Sequence, residues 1–501
     1  MNYFKKTKII ATLGPSITGK IFSLAALKDP KNISLVKEAK KRLSDIFDAG
    51  TNVVRMNFSH GDHEEQMVRV ILTREVAAEK KINVSLLLDT KGPEIRVYKI
   101  KNDELDIKNN ALITISTKKK VEGSGSTFSV YDSTNTYNMA IDVKVGDIIY
   151  VDDGKLKLIA ESVDVQKGEI KAIAKNNHKV RGNKRINLPN ANYSIPFLSD
   201  KDKNDVLFAI ENDFNYIAAS FVNSAKNVKE IKEILASKNC TKIQIISKIE
   251  TMNSIQAILE IIDESDGIMI ARGDLGLEIP YYEVPYYEKY IIKACRHKAK
   301  PVIVATQMLD SLETKMQATR AEVTDVFYAV EKGADSTMLS GETASGMYPV
   351  NAVEVMSIID KYSEKLFDYD RAINIYFKHT DFYRTRNGKI ARKVAKIVAP
   401  FRDIDNTDFQ YSAIMYFGDD VDLIKALSNI RVAAPIFVIT NNVALKNYFG
   451  IYYAVNVEIV DNFDEILVDF ADCCKKILIE KNIQLHNIIV IINKKVLKLN
   501  V

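Results

Sequence analysis

Three short stretches carry residues able to do chemistry together. Lys248 and Glu250 follow the apolar run 243–246, Gly273 and Asp274 follow 267–270, and Thr306 follows 302–304. Two carboxylates are hard oxygen ligands, which suit a magnesium or manganese ion and leave coordination positions for substrate oxygens. Lys248 stands two residues before Glu250, so both side chains project to the same side of a strand. A glycine at 273 lets backbone N–H groups come close to an anion. Arg55 adds a forked guanidinium suited to a phosphate. Asn57, Ser59, Asp89 and the carbonyl of Thr90 form an all-oxygen set with one formal negative charge. Concentrated positive charge beside hard-ion ligands suits a reaction between multiply anionic substrates, and phosphoryl transfer is mainly positioning and electrostatics.

These positions must reach one rim, and the surrounding pattern provides the means. Runs rich in β-branched residues cover 8–13, 52–58, 84–89, 216–222, 244–249, 267–271, 301–307 and 336–340, with helical patterns between them. Such runs read as buried parallel strands. Alternating with helices, they give the strand count of a closed (β/α)8 TIM barrel, whose chemistry sits at the carboxyl ends of the strands. The gap between the third and fourth runs is too long for one helix. Inside it the period changes to two, as in Lys155-Leu156-Lys157-Leu158-Ile159, with turns at Gly123, Gly146-Asp147 and Asp153-Gly154. This predicts a small inserted antiparallel β domain, barrel-like, hinged at Gly92-Pro93 and Leu188-Pro189 and hung at the rim as a lid. Beyond about residue 360, strands at 412–417, 435–440 and 488–492 alternate with helices such as 465–479, an open α/β unit without a G-x-G-x-x-G loop. The expected domains are a catalytic barrel over 1–92 and 189–360, a β lid over 93–188, and a C-terminal α/β domain over 361–501. The Lys-rich stretch 20–41 is expected to be an extended loop and helix on the outer surface.

Composition removes several function classes. The chain has 501 residues, with 70 basic against 65 acidic side chains and a net charge of +5. That balance, without a basic stripe interleaved with aromatics, argues against a nucleic-acid partner. Four cysteines at 240, 295, 473 and 474 form neither a disulfide framework nor a metal-binding spacing, which fits a reducing cytoplasm. The start carries charge without an apolar targeting core, and the longest apolar run, 488–492, is too short for a bilayer. A cytoplasmic protein with no membrane partner is expected.

The motifs themselves resemble one family along nearly the whole chain. They are Lys8-Ile9-Ile10-Ala11-Thr12-Leu13-Gly14-Pro15-Ser16, Arg55-Met56-Asn57-Phe58-Ser59-His60-Gly61 and Leu88-Asp89-Thr90-Lys91-Gly92-Pro93-Glu94-Ile95-Arg96. Ser247-Lys248-Ile249-Glu250, Ala271-Arg272-Gly273-Asp274-Leu275-Gly276, Ala305-Thr306-Gln307-Met308-Leu309, Thr319-Arg320-Ala321-Glu322 and Met338-Leu339-Ser340-Gly341-Glu342-Thr343-Ala344 complete the set. The pattern resembles the pyruvate kinases, which move a phosphoryl group from phosphoenolpyruvate to ADP and protonate the enolate. The resemblance implies Mg2+ or Mn2+ on Glu250 and Asp274, and Lys248 and Arg55 on the phosphoryl group. It implies Gly273, Asp274 and Thr306 at the phosphoenolpyruvate carboxylate, with Thr306 also relaying a proton. Asn57, Ser59, Asp89 and Thr90 resemble the family's potassium site. Family members with glutamate at the position of Glu94 generally need that ion. Asn57, His60, Arg96 and Lys184 are the implied nucleotide contacts, and a homotetramer is the implied assembly.

Some positions depart from the family. Val97 stands where potassium users usually carry threonine, and Ala318 where proline usually precedes Thr319-Arg320. Many relatives bind an activating sugar bisphosphate with Ser/Thr- and Gly-rich loops in the third domain. Here the first loop reads Phe417-Gly418-Asp419-Asp420-Val421-Asp422 and the chain end reads Ile492-Asn493-Lys494-Lys495-Val496-Leu497. Adjacent aspartates repel a phosphate, so fructose bisphosphate is expected not to activate through that loop. Two other readings compete: another Mg-dependent barrel enzyme acting on pyruvate or its enolate, and a catalytically silent metabolite sensor.

Overall fold

Eight parallel strands close into a ring in chain order: β1 (Lys8–Thr12), β2 (Thr51–Asn57), β3 (Ser85–Asp89), β4 (Tyr216–Ala219), β5 (Gln244–Ile249), β6 (Gly267–Ala271), β7 (Val302–Ala305) and β8 (Ser336–Leu339). The pairing of β8 with β1, Ser336 opposite Lys8, completes it. The computed structural model describes residues 4–132, 136–189, 191, 193–399, 401–403, 406–408 and 411–501.

The apolar runs sort into two sets with the strand period of two. Ile9, Val54, Leu88, Ile217, Ile245, Ile268, Val302 and Leu339 pack in one core with the surrounding helices. Their neighbours Ile10, Val53, Leu87, Ala218, Ile246, Met269, Ile303 and Met338 belong to a second core, shared with the C-terminal domain. One period further along that second face come Thr12, Arg55, Asp89 and Lys248, and two periods further come Asn57 and Glu250. The polar site is thus the last layer of the barrel's own filling.

The Lys-rich stretch 20–41 comprises the short helix Leu24–Lys28, connecting turns and the start of the first barrel helix, Ile33–Ala49. Ala39, Leu43, Ile46 and Phe47 of the longer helix are buried, so its lysines mark the wet side of an amphipathic helix.

Seven strands between β3 and β4 form a second closed barrel, in the order Glu169–Ala174, Leu112–Ser116, Thr127–Asp132, Ile95–Val97, Arg185–Asn187, Ile148–Val151 and Leu156–Asp164. The sheet is not purely antiparallel as expected, because Leu112–Ser116 and Thr127–Asp132 run parallel. The strand nearest β3 and the one that returns towards β4 pair directly, Arg96 opposite Arg185. That pairing sets two arginines at the neck of the lid.

The C-terminal sheet has the order Val455–Ile459, Ile436–Thr440, Ala413–Phe417, Asn487–Ile492, Lys495–Asn500, with only the last strand antiparallel. Two of these, Val455–Ile459 and Lys495–Asn500, were absent from the sequence reading. The last has no buried residue, which hides an edge strand from an apolar-run criterion. Beneath the barrel, Tyr216 Oη donates to the Tyr448 carbonyl at 2.7 Å and Tyr452 Oη to Gln244 Oε1 at 2.8 Å. Arg431 Nη1 pairs with Asp335 at 2.9 Å. This domain plugs the amino-terminal end of the barrel, leaving the carboxyl end and the lid to face each other.

Candidate active site

Asp89 is the electrostatic hub of the rim. It is 1% exposed and accepts from Arg55 Nε at 2.7 Å, Lys248 Nζ at 3.1 Å and Ser220 Oγ at 3.3 Å. Burial works against its ionisation, but Arg55 and Lys248 outweigh it and hold the carboxyl below the usual range. Arg55 also donates Nη1 to Thr12 Oγ1 at 2.9 Å, which fixes the guanidinium plane from β1. Lys248 reaches Ser220 Oγ at 2.8 Å and Glu250 Oε1 at 2.9 Å. Burial lowers its affinity for a proton, yet the surrounding carboxylates win and keep the ammonium charged. A fixed positive pair, Arg55 and Lys248, therefore stands at the barrel mouth.

Glu250 and Asp274 meet there as expected. The Glu250 carboxyl is 1% exposed and accepts from the Phe221 N–H at 2.6 Å. Its second oxygen is ion-paired with the Lys248 ammonium at 2.9 Å but makes no hydrogen bond. Burial, with the charge of Asp274 added, pushes Glu250 up to about 7. Asp274 goes the other way: burial opposes ionisation, but Arg185 and Lys248, together with a hydrogen bond to Glu250, hold it low. Two adjoining carboxyls, one with an oxygen that makes no hydrogen bond, fit a hard divalent cation that neutralises both. Among the described residues no cluster of three or more His, Cys, Asp or Glu converges, so further ligands would come from substrate or water.

Thr306 sits just past β7 in a turn the backbone disfavours. It has φ 66° and Gln307 has φ 52°, and a β-branched residue in that region is a strained outlier of the kind found at working sites. Thr306 Oγ1 accepts from the Gly273 N–H at 2.7 Å and donates to the Ala305 carbonyl at 2.6 Å. A side chain at 273 would begin 3.2 Å from that hydroxyl, a tight contact that would press on the Thr306 turn. Arg272 clamps the turn. Its Nη2 donates to the carbonyls of Thr306 at 2.9 Å and Gln307 at 3.1 Å, while Nη1 is anchored on Asp325 at 2.7 Å and Glu288 at 3.1 Å. Arg272 stands within the Ala271–Gly276 motif, and the positive φ it stabilises at Thr306 is not visible in composition or period.

A cleft of about 410 Å³ joins this rim to the lid and is lined by Arg55, Asn57, Ser59, His60, Asp89, Glu94, Arg96, Lys184, Arg185, Lys248, Glu250 and Asp274, among others. Thr90, Gly273 and Thr306 are not part of its lining. Arg96 bonds Glu94 through Nε at 3.0 Å and Nη2 at 2.8 Å. His60 is exposed on the cleft side, and partial desolvation, with the charge of Arg96 adding to it, lowers the imidazole's affinity for a proton. His63 instead bonds Asp205 at 2.7 Å and packs on Phe208. Lys184 lines the cleft with its ammonium on Asp152 at 2.9 Å, inside the lid. Its neighbour Arg185, not singled out from sequence, crosses to the barrel and pairs with Asp274. Adjacent strand residues face opposite ways, but which one faces the barrel depends on register. Around the oxygen set, Asn57 Oδ1 accepts from the Ser59 N–H at 3.0 Å, and the Thr90 carbonyl from Ser220 Oγ at 2.7 Å.

Fold and site together define a phosphotransferase built on a β/α barrel with a lid over the strand ends. Residues 4–353 match the family model described as pyruvate kinase, barrel domain. The pyruvate kinase of Mycoplasma pneumoniae is 46% identical over 466 residues, 92% of this chain and 91% of that one. That of Mycoplasma genitalium is 47% identical over 462 residues, with the same 92% and 91% coverage. The crystal structure of a pyruvate kinase from Cryptosporidium parvum superposes with a TM-score of 0.85 at 28% identity, covering 99% of this chain and 96% of that one. The chain belongs to the pyruvate kinase family.

Proposed function

We propose that the chain transfers the phosphoryl group of phosphoenolpyruvate to ADP, giving ATP and pyruvate. The observation that carries this is the convergence of Arg55, Lys248, Glu250 and Asp274 on one cleft between barrel and lid. Arg55 and Lys248 bind and neutralise the phosphoryl oxygens, in positions that Asp89 and Thr12 fix beforehand. Lys248 then stabilises the negative charge that develops on the enolate oxygen. Gly273 and Thr306 take the substrate carboxylate beside Asp274, exchanging for it the hydrogen bonds they now make to each other and to Ala305, and Thr306 relays a proton towards the enolate carbon. A divalent ion, Mg2+ or Mn2+, held by Glu250 and Asp274 would supply Lewis-acid polarisation of the phosphoryl and enolate oxygens. Asn57 and His60 from the barrel and Arg96 and Lys184 from the lid hold the nucleotide. The assay is pyruvate formation that requires phosphoenolpyruvate, ADP and Mg2+ together; turnover without ADP would overturn the assignment. Neither another pyruvate-enolate barrel enzyme nor a silent sensor is favoured by the family match and the full complement of rim residues.

Potassium is assigned to Asn57, Ser59, Asp89 and the Thr90 carbonyl, because Glu94 leaves the neighbourhood without a lysine at that position. Replacing K+ by tetramethylammonium should cut turnover strongly, and unchanged turnover would remove this ion. A homotetramer is inferred from family membership. Its support here is a strongly exposed aromatic patch, Tyr281 78%, Tyr282 71%, Tyr286 68% and Tyr290 41% exposed, and the free outer edge of Lys495–Asn500. Sedimentation velocity reads the assembly directly. The cytoplasm is the compartment that suits this chemistry, and no helix among the described residues is long and apolar enough to cross a membrane.

Fructose bisphosphate activation through the C-terminal loop is not part of the proposal. Asp420 caps the helix Val421–Asn429, accepting from the Leu423 N–H at 3.1 Å. It also takes Asn387 Nδ2 at 3.1 Å and Lys494 Nζ at 2.9 Å. Lys494 sits in a tight turn in which it and Asn493 both have positive φ, the geometry of a two-residue hairpin. A carboxylate therefore already occupies the helix start that an anion would seek. Activation abolished by altering residues 417–421 would contradict this.

A further inference from the structure

The short helix Arg272–Glu278 collects the contacts that join barrel to lid at this rim. Arg185, on the returning lid strand, pairs with Asp274 at its start. The lid turn at Gly154 meets Leu277, to whose Cδ2 a side-chain carbon at 154 would come within 2.8 Å. Asn187 Nδ2 donates to Glu278 Oε1 at 3.2 Å, and Tyr193 Oη donates to the same oxygen at 3.4 Å. Arg185 is steadied by the Phe221 ring, 4.8 Å from its guanidinium carbon, and lies 3.9 Å from Glu94. Of these links only Asp274 is also one of the two carboxylates assigned to the divalent cation.

From this double use we propose that Arg185 is a latch: it holds the lid on the barrel by pairing with Asp274, and the divalent cation releases it by taking the same carboxylate. The inference rests on the cation reading of Glu250 and Asp274 given above. The physical reason is exclusion. A guanidinium and a metal ion on one partly buried carboxylate repel each other at contact range, so the two states compete. The contacts at Leu277 and Glu278 carry no competing ion and remain as the pivot. Released, Arg185 keeps Glu94 as a partner, so it is not left as a buried unpaired charge. Arg185 is on this account a positioning residue that couples cation occupancy to lid docking.

The test uses the full chain and Mn2+ alone, without substrates. Free Mn2+ is followed by electron paramagnetic resonance, and amide exchange of lid residues 185–187 by mass spectrometry. Arg185→Gln should bind Mn2+ roughly tenfold more tightly than the wild type, since a competing charge is gone. Arg185→Lys, which keeps a cation, should stay within about threefold of wild type by the same reasoning. In the wild type Mn2+ should speed exchange at 185–187; in Arg185→Gln exchange should be fast from the outset and indifferent to Mn2+. Equal or weaker Mn2+ binding by Arg185→Gln, or wild-type exchange that ignores Mn2+, would overturn the latch. Glu250→Gln separates the two layers. If it leaves Mn2+ affinity intact, the cation lies elsewhere and both readings fall; if it abolishes binding while Arg185→Gln changes nothing, the latch alone falls.

Discussion

Lys248 shows how one side chain gains its chemistry from its neighbours. Alone in a barrel interior, a lysine would shed its proton through desolvation. Here Asp89 at 3.1 Å and Glu250 at 2.9 Å reverse that outcome and keep it charged. Lys248→Met removes the charge while preserving length and apolar stem. We expect turnover to fall by about a thousandfold or more, since a preorganised charge at the reacting centre is lost. Far-UV circular dichroism should be unchanged, because the barrel's apolar layers lie below the site. A variant retaining a tenth of wild-type turnover would remove Lys248 from the chemistry. Arg272 makes the complementary case: it need touch no substrate, yet it ties a strained Thr306 turn to Glu288 and Asp325.

At the scale of elements, the helix Arg272–Glu278 decides how the lid meets the barrel, and Glu278 makes that junction sensitive to pH. Burial pushes its carboxyl up to about 7, against the pull of Asn187, Arg185 and Tyr193, with Asp274 adding to the rise. The sign follows from linkage. With the folded value above the unfolded one, near 4.5, the folded state binds the extra proton, so this stability is complete below that lower value and is lost as pH rises through 7. Glu278→Gln is permanently neutral and escapes the loss. Its melting temperature should gain on the wild type by a few degrees between pH 5.5 and 8. A gap independent of pH would show that Glu278 is ionised in the folded protein throughout.

Across the whole molecule, the barrel is closed from below by the C-terminal domain and tied at its start by a buried ion pair. The N–H groups of Lys6 and Thr7 donate to the Glu364 carboxylate at 2.9 Å and 2.6 Å, and Lys6 Nζ lies 3.3 Å from it, with side-chain exposures of 0% and 1%. Removing one partner leaves a charge in a site that water does not reach. Glu364→Ala should therefore destabilise the protein by about 3 kcal/mol in urea unfolding. An effect below about 1 kcal/mol would match a solvated surface pair instead. Because Glu364 lies on the helix Pro349–Leu366, outside the cleft, substrate affinity should change little.

Strand identity, strand order around the ring and the gathering of Lys248, Glu250 and Asp274 were set by local pattern. Hydrophobic runs of period two and motif positions at their ends are properties of adjacent residues, and these survive into the fold because burial enforces them. The edge strand Lys495–Asn500, the parallel pair in the lid, the positive φ of Thr306 and the crossing of Arg185 to Asp274 were decided only in three dimensions. Each depends on which distant segment lies opposite: solvent, a neighbouring strand, Arg272 or the lid neck. Such partners, separated by many residues in the chain, leave no mark on its local periodicity.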